Sequence, residues 1–150
     1  ERSLDGKLMG KARKVAQKQM DNYLEGKLGI IIDGTGGSSN ALLSKKKSIE
    51  DLGYDTYMIF VDTTLETALE RNSKRTDRSL LDKVVERTWQ KVQDNLKTYK
   101  GAFGSNFINI NTDKDIGDKL PSSVVSSVMK FIKKPVKNKS EKRVLRMLPN

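Results

Sequence analysis

Apolar residues along this chain follow two rhythms, and their alternation predicts the element order. Over residues 4–25, Leu8, Ala12, Val15, Ala16, Met20, Tyr23 and Leu24 recur at three- and four-residue steps with Lys and Arg between them, the spacing of an amphipathic helix. Gly26 is the expected stop, and Gly6 and Gly10 weaken the first turns. Leu28-Gly29-Ile30-Ile31-Ile32 is then a continuous branched run, which predicts a strand buried on both faces. Asp33 ends it, and Gly34-Thr35-Gly36-Gly37-Ser38-Ser39 reads as a flexible turn. A second helix is expected over 40–52, apolar at Leu42, Leu43 and Ile49 and stopped by Gly53. A second buried strand follows at 56–61, with Asp62 and Thr63 as candidate helix caps. Residues 65–72 read as a short helix and 73–79 as a polar, basic connector. Leu81, Val84, Val85, Trp89, Val92, Leu96 and Tyr99 mark a long amphipathic helix. A third strand is predicted at 107–110 and a last helix at 118–132, with Pro121 in its first turn. Strands alternating with helices predict an α/β fold with a parallel sheet over residues 1–132.

Residues 133–150 break that pattern. They hold Lys133, Lys134, Lys137, Lys139, Lys142, Arg143 and Arg146 against Glu141 alone, between Pro135 and Pro149, and read as a flexible basic tail. This tail accounts for more than half of the net charge of +10 on the 150-residue chain. Two readings of it stand: a nonspecific phosphate binder for nucleic acid, or a solubilising tail. No aromatic residue interleaves with its cations, so base stacking is not indicated.

Composition also narrows the chemistry. The chain has no Cys and no His, which excludes disulfides, thiolate nucleophiles, His-based triads and His-ligated zinc. Acid–base work falls to Asp or Glu, and charge stabilisation to Lys, Arg or a hard cation such as Mg²⁺. The longest apolar runs are strand-sized, so no membrane association is expected and a cytoplasmic location is. The first residue is Glu1 rather than Met, and is expected not to be the natural start.

Two constellations could carry chemistry. The first is the junction Asp33-Gly34-Thr35-Gly36, because ligands of parallel α/β sheets bind beyond the carboxyl ends of strands. Asp33 could hold Mg²⁺ through water or orient a hydroxyl, and the glycines allow close backbone approach to an oxygen-rich ligand. The plainer alternative is a capped turn. The run is also a near miss to the dinucleotide fingerprint, with Ser39 at its last glycine and Asp62 placed to contact a ribose. No G-x-x-x-x-G-K-[ST] segment occurs anywhere, and Lys45, Lys46 and Lys47 read as a solvated helix face. The second constellation is Arg71, Arg75 and Arg78, which could close over phosphates through bidentate guanidinium contacts. Its alternative is helix-dipole complementation and surface charge. Trp89 reads as core, and Gln93 and Asn95 as solvated or tied to a loop.

Together, Asp33-Gly34-Thr35-Gly36, Gly53-Tyr54, Leu69-Glu70-Arg71-Asn72 and Arg78-Ser79-Leu80 ahead of the Trp89 helix resemble the zeta-toxin-like, polynucleotide-kinase-like branch of the P-loop kinases, in its phage-encoded form. Gly37 stands where that family has an arginine, and Leu81 where it commonly has Pro. The resemblance implies a three-layer α/β kinase fold using ATP and Mg²⁺. Asp33, Arg71 and Arg78 would be catalytic, Gly34, Thr35 and Gly36 would shape the acceptor pocket, and Arg75 would be a third phosphate ligand. The acceptor would be a small molecule or a nucleic-acid end. It further implies that the first strands and the phosphate loop lie outside these residues, in another segment or a second chain. In the family's sheet order 2-3-1-4-5, the strand missing here would sit between 28–32 and 56–61. The competing readings are a basic nucleic-acid-associated module and a dinucleotide-binding domain built on Gly34, Gly36 and Asp62.

Overall fold

The computed structural model describes residues 2–77, 79–114, 121–135 and 137. It divides into two compact units, Glu1–Gly34 and Thr35–Asn150. In the first unit the predicted helix forms as α1 (Arg2–Glu25). It closes one residue beyond the expected stop: Leu28 N–H reaches Tyr23 O at 2.9 Å and Lys27 N–H reaches Leu24 O at 3.2 Å. This pair of bonds is a Schellman closure, and Lys27 rather than Gly26 takes its left-handed position, at φ 54°.

The strand expected at Leu28-Gly29-Ile30-Ile31-Ile32 does not form; the segment has no regular secondary structure and Ile31 is 99% exposed. A branched run becomes a strand only where a neighbour completes its hydrogen-bond ladder. The sheet among the described residues consists of two strands, neither of them this segment.

The second unit carries α2 (Ser39–Asp51), β1 (Met58–Asp62), α3 (Leu65–Ser73), α4 (Asp82–Phe103), a 3₁₀ turn (Gly104–Asn106), β2 (Phe107–Asn111) and α5 (Ser122–Ile132). The described chain is thus mixed α/β, with five α-helices and a two-stranded parallel sheet. β1 and β2 pair in register from Met58 opposite Phe107 to Asp62 opposite Asn111. Because the pairing is parallel, both carboxyl ends share one sheet edge, and α3 with α4 forms the crossover between the strands. Alternation puts Phe60 on the face turned to α4, where it is buried beside Tyr99, their rings 6.4 Å apart. Ile110 is buried on the opposite face.

Caps follow the chemistry of short hydroxyl side chains. Ser38 starts α2 and accepts from Ala41 N–H. Thr64 starts α3, so the cap lies beyond the Asp62 and Thr63 expected from sequence. In α2 the lysine run divides: Lys47 pairs with Asp51 in solvent, while half-buried Lys46 bonds Glu50 at 2.7 Å. Pro121 sits just ahead of α5, and the predicted helical positions 118–120 lie outside the described residues. Of the basic tail, Lys133, Lys134, Pro135 and Lys137 are described; Lys139, Lys142, Arg143 and Arg146 are not. The described start of the tail lies at the amino ends of the strands. There Lys134 Nζ stands 4.8 Å over the Phe131 ring, which stacks on Tyr57, and the Lys137 amide donates to Asp55 at 2.6 Å. No helix among the described residues is long and apolar enough to cross a membrane.

At the opposite edge, Asp113 latches the exit of β2 to the start of α3. Its carboxylate accepts from Thr64 N–H at 2.6 Å, Asn111 Nδ2 at 2.9 Å and Thr63 Oγ1 at 2.9 Å. These donors, the Thr64 amide foremost, hold the carboxyl well below its ordinary range. A depressed folded value stabilises the fold above the unfolded value, near pH 4, and that stabilisation fades as pH falls toward the folded one. Urea midpoints of the chain and of Asp113→Asn should therefore differ at neutral pH and converge progressively as pH drops from about 4. A gap that stays constant through that acid range would show the latch to be unimportant.

Candidate functional site

The carboxyl edge is organised by backbone groups of β1 and β2. The Asp62 carbonyl receives the Thr112 amide at 2.8 Å and the Thr112 hydroxyl at 3.0 Å, continuing the ladder one step past the strands. Arg71, in the last turn of α3, reaches across to the same residue: Nη1 donates to Thr112 Oγ1 at 3.1 Å and Nη2 to the Thr112 carbonyl. Two of its five N–H donors are thereby engaged, which fixes the fork and leaves the others available.

Helix α4 supplies the second wall. Trp89 Nε1 donates to the Thr63 carbonyl at 2.8 Å, and Gln93 Nε2 donates to Asp62 Oδ1 at 2.8 Å. The Thr63 amide also donates to Oδ1, at 3.0 Å, while Asn109 Nδ2 stands 3.4 Å from Oδ2. Two turns on, Tyr99 Oη donates to Gly36 O at 2.6 Å and Asn95 Nδ2 to the same carbonyl at 3.2 Å. Burial pushes the Tyr99 phenol above its ordinary value, which keeps its proton on this bond. Gly36 has φ +69°, a conformation that a side chain would strain, so turn and helix specify each other.

The basic connector is shaped by one buried amide. Asn72 is 5% exposed; its Nδ2 donates to Leu80 O at 2.7 Å and its Oδ1 accepts Leu80 N–H at 2.9 Å. The side chain thus mimics a strand partner and closes the connector into a loop. Arg75, on that loop, is exposed, and its guanidinium makes no hydrogen bond or ion pair among the described residues.

These parts enclose a cleft of about 410 Å³. Thr35, Asp62, Arg71, Arg75 and Gln93 line its polar side, and Ala68, Leu80, Val85, Trp89 and Val92 its apolar side. The structure therefore brings together Thr35, Arg71 and Arg75 of the sequence-predicted residues. Gly36 stands next to Thr35 but is held by α4. Asp33 and Gly34 belong to the first unit, where both are exposed, and Arg78 lies outside the described residues. Trp89 is half-buried on the cleft wall rather than in the core, and Gln93 and Asn95 are both tied to loops.

Among the described residues no group of three or more Asp and Glu side chains could form a metal centre. Mg²⁺ that arrives on substrate phosphates with its own water shell requires only one or two carboxylates, so the residues present accommodate that mode. Comparison with known proteins gives no match: no family model, no curated protein and no solved structure is significantly similar to the chain.

Sequence reasoning missed the Asn72 clamp, the Gln93–Asp62 bond and the Asp113 latch. Gln93 left a trace, since it follows the apolar stripe position Val92 directly and lies one turn beyond Trp89. Replacing Asn72 with Ala should destabilise the second unit by about 1–3 kcal/mol in urea denaturation, since both Leu80 backbone groups lose their partner. Unchanged stability would mean that solvent serves Leu80 equally well.

Proposed function

We propose that the chain is part of an ATP-dependent phosphotransferase of the P-loop kinase class, in its zeta-toxin-like form, and that the carboxyl-edge cleft receives phosphate groups. One observation carries this reading: Arg75, without a partner among the described residues, shares a cleft with Arg71 and Thr35 at the common carboxyl edge of two parallel strands. That edge is where open α/β sheets bind ligands. An unengaged guanidinium offers bidentate contacts to phosphate oxygens, and a second, pre-fixed guanidinium beside it adds charge at little ordering cost.

In this account Arg75 grips the phosphate and Arg71 orients it, with Thr35 donating a hydroxyl hydrogen bond. Arg78 and Asp33 keep the roles that the resemblance assigns them, respectively a phosphate ligand and an organiser of Mg²⁺ or the acceptor hydroxyl. Phosphoryl transfer draws on positioning and charge more than on covalent participation by the protein, which suits a site without His or Cys. The phosphate loop would come from a segment or chain outside these 150 residues, so the chain alone should turn over little ATP.

A dinucleotide-binding domain is less well supported. Its glycine turn must leave a strand, and residues 28–32 form none. Nucleic-acid binding through the basic tail would operate from the amino ends of the strands, where the described start of that tail is fastened.

Calorimetric titration with pyrophosphate and with Mg·ATP tests the assignment. Arg75→Ala should weaken both by about tenfold or more, the loss of a charge-assisted contact, without changing thermal stability. Equal affinities for the chain and the variant would remove Arg75, and the cleft with it, from the proposal.

A further inference from the structure

The cleft contains more than a phosphate site requires. Beside its two arginines it holds a carboxylate, which repels phosphate, and an apolar wall, which phosphate does not use. A ligand made only of phosphate leaves both unexplained.

Asp62 is held in a way that specifies what it can accept. Its Oδ1 is occupied by Gln93 Nε2 at 2.8 Å and the Thr63 amide at 3.0 Å, whereas Oδ2 has only Asn109 Nδ2 at 3.4 Å, the outer limit of a hydrogen bond. One oxygen is thus anchored and the other has acceptor capacity to spare. In a cleft that also carries two guanidiniums, the complementary donor is a neutral hydroxyl on an anionic ligand. The wall is equally specific. Trp89 has its only N–H committed to the Thr63 carbonyl, so its ring offers the cleft apolar surface alone. Leu80, clamped by Asn72 yet 52% exposed, and Val85 extend that surface. A volume of about 410 Å³ lies within the ~300–1,000 Å³ usual for small-ligand sites.

Anion, hydroxyl donor and planar apolar group in one ligand describe a nucleoside phosphate. We propose that the cleft is a nucleoside-phosphate site in which Asp62 reads a sugar hydroxyl and the Trp89 wall receives the base, with Arg75 on the phosphate. This deepens the phosphate-binding reading above and rests on it.

Trp89 is the only tryptophan in the chain, so intrinsic fluorescence reports on this wall directly. The full chain is titrated with AMP, UMP, ATP, ribose 5-phosphate, adenosine and pyrophosphate. AMP or UMP should change the emission saturably and bind about tenfold tighter than ribose 5-phosphate, the effect of placing a base on an aromatic wall. Asp62→Asn should weaken the ribonucleotides about tenfold while sparing pyrophosphate. If that variant does not fold, the ligand series on the unmodified chain still decides. A monophosphate preference over ATP would place the acceptor here, and the reverse preference the donor. Trp89 also lines a second, shallower cleft with Lys83 and Arg87, so the emission change must weaken in Arg75→Ala to belong to this one. A response unchanged in Arg75→Ala would overturn the assignment to this cleft. Equal affinity for AMP, ribose 5-phosphate and pyrophosphate would overturn the base and sugar subsites but leave the phosphate reading intact. Adenosine binding as tightly as AMP would instead overturn the phosphate reading.

Discussion

The Asp62 carbonyl is the point on which the carboxyl edge depends. It receives both the amide and the hydroxyl of Thr112, and Arg71 grips Thr112 from α3. One residue along, Thr63 offers its carbonyl to Trp89 and its hydroxyl to Asp113. Two strands, the start of α3 and the length of α4 are therefore joined within three consecutive residues. A two-stranded sheet is marginal on its own, and here the helices that cross between its strands supply the missing support.

This bonding decides which polar groups are consumed by the fold and which remain for a ligand. Arg71, Gln93, Asn95 and Tyr99 spend donors on holding loops. Arg75 spends none among the described residues, and Asp62 keeps one oxygen in reserve. Two arginines four residues apart look equivalent in sequence, yet one is a strut with donors to spare and the other is unengaged. The same division separates Asp62 from Asp113, whose carboxylate is fully used by Thr63, Thr64 and Asn111.

Elements with a long, strong period were legible in the sequence. The stripe from Leu81 to Tyr99 predicted α4, and alternation of helix and strand predicted a parallel pairing at 56–61 and 107–110 that appears as Met58–Asp62 with Phe107–Asn111. Residues 28–32 misled because a branched run states a preference that only a neighbouring strand can satisfy. Within the site, Thr35, Arg71 and Arg75 could be anticipated from their placement after predicted elements. The Asn72 clamp and the Gln93–Asp62 bond could not, because each joins residues whose proximity exists only after the chain has folded.

Backbone amide shifts recorded during titration with pyrophosphate test the central claim most directly, since they locate the bound phosphate without presupposing a residue. The account predicts the largest shifts at Thr35, Thr63, Arg71 and Arg75, together with the Trp89 indole proton that bonds the Thr63 carbonyl. Shifts confined to residues 133–150, with the cleft unmoved, would contradict it and make the basic tail the phosphate-binding part of the molecule.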